Sequence, residues 1–95
     1  TAATFGVGRI SAEADRLMQV TKNALMEGIR YAKTGNCLGS ISWAVQRVVE
    51  DAGFSVVRDF VGHGIGQNLH EDPQIPNFGN PEDGPLLRHG MVIAI

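Results

Sequence analysis

A chain of 95 residues with 43% hydrophobic and 19% charged residues has the composition of an ordinary globular protein and the length of one domain at most, which excludes intrinsic disorder and a second independent core. The formal net charge is −2, and no lysine or arginine cluster supplies the footprint that nucleic acid or an anionic membrane requires, so neither is an expected partner. No apolar run approaches the roughly 20 residues of a membrane helix, the opening residues lack the regions of a signal peptide, and a lone Cys37 can form no internal disulfide; cytoplasmic residence is expected.

In chain order, Thr4-Phe5-Gly6-Val7-Gly8 reads as a strand-like phrase. Ser11 is placed to cap a helix, its hydroxyl accepting from an unpaired backbone N–H, with Glu13 and Asp15 favoured by the dipole in the first turn. Leu17, Val20, Ala24, Leu25, Gly28 and Ala32 recur at helical steps and predict one apolar stripe running to about Lys33, where Thr34-Gly35-Asn36 ends it. A second helix is predicted from about Ser40, with Ile41, Ala44, Val45, Val48 and Ala52 on one face and Gly53 as its left-handed stop. Both stripes, with Met18, Met26 and Trp43, are expected to be core packing.

Phe54-Ser55-Val56-Val57-Arg58 is β-branched and aromatic and predicts a strand leading into Gly62-His63-Gly64-Ile65-Gly66. Proline, asparagine and glycine from Pro73 to Pro85 predict an irregular surface loop, after which Met91-Val92-Ile93-Ala94-Ile95 is expected as a buried strand. The sequence opens and closes on strand-like phrases and is read as a segment of a longer chain.

Chemistry concentrates around His63 and His70. Imidazole is a common metal ligand and titrates near neutral pH, but the separation of seven residues does not match HExxH, which excludes a zincin. Glycines at 62, 64 and 66 leave space for another strand, a metal or a substrate to approach His63; a plain bulge is the alternative. The phrase lacks the lysine and Ser/Thr of a phosphate-binding loop, and Cys37 has no basic or histidine neighbour to activate it as a nucleophile.

The run from Ser55 through Arg58-Asp59-Phe60-Val61-Gly62-His63-Gly64-Ile65-Gly66, followed by His70-Glu71-Asp72-Pro73-Gln74-Ile75-Pro76-Asn77, resembles the signature of type I methionine aminopeptidases. The likeness continues more weakly through Leu38-Gly39-Ser40-Ile41, Gly84-Pro85 and Gly90-Met91-Val92, and so spans essentially the whole chain. It implies the α+β pita-bread fold, present here in part as two amphipathic helices packed on a curved, mainly antiparallel sheet, with residues 1–95 a segment of a single catalytic domain.

The resemblance also implies an activity: metal-dependent removal of the N-terminal methionine from nascent proteins with a small second residue, at the ribosome, by a monomer. Its cofactors would be two divalent metal ions (Co, Mn, Fe or Zn), held by two aspartates, one histidine and two glutamates. His63 is similar to the metal-binding histidine and His70 to the histidine that contacts substrate at the scissile peptide, while Leu69 stands where an aromatic residue often lines the methionine pocket. The other ligands are expected outside this segment, so the 95 residues alone are predicted inactive. Lys33-Thr34-Gly35 and His89-Gly90 depart from the family's usual Lys-Pro-Gly and Pro-Gly, which changes turn stiffness and not chemistry. Two alternatives are an X-Pro aminopeptidase or prolidase of the same fold, and a non-catalytic pita-bread module that binds peptides or proteins.

Overall fold

The computed structural model describes residues 2–95. Two helices, α1 (Ala12–Tyr31) and α2 (Gly39–Asp51), precede three short strands, β1 (Gly62–Ile65), β2 (Glu71–Ile75) and β3 (Val92–Ala94). The strands form one antiparallel sheet in the order β2-β1-β3, which puts β1 in the middle.

Ser11 caps α1 as its sequence position predicts, its Oγ accepting from the Ala14 N–H at 3.1 Å. The helix stops at Tyr31, two residues before the expected Lys33. Helix α2 has no side-chain cap. Its first backbone donors are met by the loop after β2: the N–H groups of Leu38 and Gly39 donate to Pro85 O and Asp83 O at 2.9 and 2.8 Å, and Ser40 Oγ donates to Pro81 O at 2.8 Å. That strap is extended by paired bonds from Gly35 N to Leu87 O and from Leu87 N to Asn36 O. Gly53, at φ 83°, ends α2 where the sequence places the stop.

Leu38, Ile41, Ile75 and Leu87 form the buried cluster, with Tyr31 and Ile93 packed against it. Ile41 and Ile75 are fully buried, so the start of α2 fixes the end of β2. The helices meet where α1 is narrowest. A Cβ added at Gly28 would lie 3.0 Å from Val45 Cγ2, and of the α1 stripe only Ala24 and Gly28 are buried.

Five expectations are corrected. The α1 stripe is not core along its length: close approach at Gly28 leaves Leu17, Leu25 and Met26 exposed beyond it. Residues 4–8 form no strand, because no described segment lies beside them, and Phe5 and Val7 are largely exposed. Residues 54–58 are irregular as well; the Asn77 side-chain amide donates to Val57 O at 2.9 Å and Phe60 O at 3.1 Å in place of a neighbouring strand. The last strand, Val92–Ala94, is at most half-buried, since β3 is an edge of the described sheet. The irregular stretch begins at Pro76, because Gln74 and Ile75 pair with His63 and Gly62.

Candidate metal and substrate site

The glycine-punctuated strand β1 carries His63 at the centre of the sheet. His63 faces Gln74 of β2 on one side and Ala94 of β3 on the other. Immediately after it the β1–β2 register jumps, from His63 opposite Gln74 to Gly64 opposite Glu71, so that Asp72 and Pro73 are accommodated in a bulge. Pro73 has no N–H to offer a ladder, which makes a bulge the natural place for it. The bulged strand passes so near β1 that a Cβ at Gly64 would overlap the Asp72 carbonyl. Glycine at 64 is therefore required by close approach, in keeping with the spacing read from the sequence.

The bulge shortens the path back to β1 and brings the two histidines together. Their ring centroids are 4.3 Å apart with planes inclined at 50°. His63 is half-buried and its Nδ1 lies 2.9 Å from Gly64 O. A carbonyl can only accept, so Nδ1 is the donor, and in the neutral ring Nε2 is the nitrogen with the lone pair. Metal-bound histidines use this arrangement, with one ring nitrogen donating to a carbonyl and the other free for the ion. His63 thus fits a metal ligand by its own hydrogen bonding. His70 is exposed, and its recorded ring contact is with His63.

An open cleft of about 580 Å³ lies over the pair, lined by Val61, Gly62, His63, Asn68, His70, Glu71, Asp72 and Gln74. Its size is within the range of small-molecule and peptide-end sites, roughly 300–1,000 Å³. Leu69 is 67% exposed and is not part of this lining. Among the described residues no three His, Cys, Asp or Glu side chains converge to hold a metal ion. Cys37 is half-buried and bridges to Leu86 away from the cleft, and His89 lines a separate, smaller cleft with Lys33 and Arg88.

Sequence reasoning gave no role to Asn68, Glu71 or Gln74, although Glu71 and Gln74 lie within the quoted motif. The signal that could have found them is strand register: Gln74 is the cross-strand partner of His63, but the bulge conceals that pairing from a simple alternation count.

The sequence pattern of metallopeptidase family M24 matches residues 1–95, the full chain. The chain belongs to metallopeptidase family M24. Among its M24 relatives, a methionine aminopeptidase of Clostridium perfringens is 56% identical over 94 residues, covering 99% of this chain and 38% of the relative. Methionine aminopeptidase 1 of Bacillus subtilis is 53% identical over 95 residues, again 38% of its length. The crystal structure of methionine aminopeptidase from Thermotoga maritima superposes with a TM-score of 0.92 at 46% identity, over 96% of this chain and 36% of that one. That from Rickettsia prowazekii gives the same TM-score at 41% identity, over 96% and 37%. Two helices on a three-stranded antiparallel sheet are thus this chain's share of the M24 pita-bread fold, and the chain spans a little over a third of the length of the relatives it matches.

Proposed function

We propose that this M24 chain is a segment of the catalytic domain of a metal-dependent aminopeptidase that removes the N-terminal methionine from nascent polypeptides with a small second residue. The observation that supports this reading best is the His63 ring, with Nδ1 held by Gly64 O and Nε2 open, set against His70 in a cleft. The remaining ligands of such a site would be supplied by other parts of a longer protein.

Divalent ions bound there, two in number and Co, Mn, Fe or Zn in identity, would supply Lewis-acid polarisation of the scissile carbonyl and acidification of water. His63 would hold one ion through Nε2, with the hydrogen bond between its Nδ1 and Gly64 O keeping the ring from turning. His70 donates a hydrogen bond to the substrate amide or to the oxygen on which charge develops. Leu69 offers an apolar surface beside His70 to the methionine side chain. The reading places the protein in the cytoplasm as a monomer, with polypeptide N-termini emerging at the ribosome as substrates. Among the described residues no helix is long and apolar enough to cross a membrane.

The test is hydrolysis by the full-length protein of peptides beginning Met-Ala, Met-Leu and Ala-Pro. Methionine should be released from Met-Ala far faster than from Met-Leu, with activity abolished by a chelator and restored by one of the four metals. Cleavage of Ala-Pro in preference would assign the protein to the X-Pro enzymes, and binding without cleavage under every metal would make it a peptide-binding module.

A further inference from the structure

The loop between β1 and β2, residues 66–70, carries Leu69 and His70, yet its side chains do little to fix it: residues 66–70 are all exposed. Its order comes from the backbone and from one carboxylate. Glu71, the first residue of β2, accepts the Asn68 N–H on Oε1 at 2.8 Å. The Gly66 N–H in turn donates to Asn68 O at 3.1 Å, closing the turn on itself. The second carboxylate oxygen, Oε2, lies directly against Gly66, where an added Cβ would overlap it.

Glu71 has no cationic partner among the described residues, where the single ion pair joins Arg30 to Glu27. Its recorded hydrogen bond is therefore to the loop. Glu71 also lines the cleft with His63 and His70, and it follows His70 directly in the chain. Any swing of the turn would carry the exposed His70 ring away from His63, on whose ring it rests.

We infer that Glu71 is a positioning residue: its carboxylate clamps the 66–70 turn through Asn68 N–H and against Gly66, and so holds the His70 ring over His63. Glycine at 66 is the matching half of the clamp, since without a Cβ it leaves room for the carboxylate where it lies, whereas an added methyl would push the flexible Glu71 side chain aside. Glu71 neither carries a proton nor binds the ion on this account. The inference rests on the proposed aminopeptidase reading for its effect on turnover, but not for the clamp itself.

The test uses the full-length protein with Glu71→Gln, Glu71→Ala and Gly66→Ala. Gln keeps a side-chain oxygen that can accept the Asn68 N–H, whereas Ala removes it. Glu71→Ala should speed amide hydrogen exchange at Asn68 by about tenfold, the loss of one charge-assisted hydrogen bond. It should also lower kcat/KM on a Met-Ala peptide by about 10–100-fold, the scale of a misplaced catalytic group, with metal content unchanged. Glu71→Gln should stay within a few-fold of wild type in both readouts. If Glu71→Ala does not fold, Gly66→Ala carries the same test, because its methyl displaces the carboxylate and should loosen Asn68 in the same way.

Slow Asn68 exchange in whichever of Glu71→Ala and Gly66→Ala folds would overturn the clamp. Glu71→Gln as impaired in turnover as Glu71→Ala would overturn it too, by showing that the charge and not the acceptor is used. Should the wild-type protein cleave no methionyl peptide, the exchange measurement still decides the clamp, so its failure and that of the aminopeptidase reading are told apart.

Discussion

His63 and His70 meet ring to ring, 4.3 Å between centroids, although one sits inside strand β1 and the other at the end of an exposed turn. The two rings have different supports. His63 is held on the central strand with Nδ1 on Gly64 O, whereas His70 depends on the turn that precedes Glu71. They should therefore fail differently when removed.

His63→Ala in the full-length protein should cost metal binding first. Loss of an imidazole ligand is expected to weaken one ion by more than the roughly 10–100-fold seen on removing a ligand's supporting partner, with activity falling in parallel. Metal titration followed by calorimetry checks this; an unchanged affinity would remove His63 from the ligand set.

His70→Ala should leave metal content intact and lower kcat by about 10²–10⁴-fold, the usual worth of a positioned proton or hydrogen-bond donor. Steady-state kinetics with metal analysis of the same sample checks this. Loss of metal together with activity would instead make His70 a ligand.

Gly64→Ala should destabilise the protein, because the new methyl would overlap the Asp72 carbonyl and force β1 and β2 apart at the bulge. Overpacking of this kind costs about 1–3 kcal/mol and more where backbone must move. A denaturation midpoint equal to wild type would mean that β2 can retreat without loss.

Ile41→Ala, by contrast, acts in the core, at a residue that does not line the cleft. Ile41 is fully buried among Leu38, Ile75 and Leu87, and truncation should cost about 2–5 kcal/mol through lost burial and a cavity. Because Ile41 packs with Ile75 at the end of β2, the variant should unfold at lower denaturant while binding metal with near-normal affinity when folded. Equilibrium unfolding and metal titration on the same variant separate the two effects.

Some of this was legible in the residues alone. Ser11 and Gly53 announce a helix start and a helix stop through side-chain and backbone chemistry that acts within a few residues, and the structure uses both. The His63 to Asn77 phrase was enough to mark the family, since it fixes residue types at fixed spacing and needs no contact map. Strand expectations at residues 4–8 and 54–58 failed for one physical reason: a strand is completed by its neighbour, and β-propensity carries no information about whether a neighbour is present.

The sequence by itself determined the helices, the candidate metal and substrate histidines, and the family, because periodicity, capping and motif spacing are local properties. Only the tertiary structure decided which part of the α1 stripe is buried, since that depends on how closely Gly28 lets α2 approach. It alone also decided that Glu71 turns back on Asn68 and that His70 comes to rest on His63. The two-residue jump in register beside His63 is likewise set by geometry between strands, which no single-strand pattern carries.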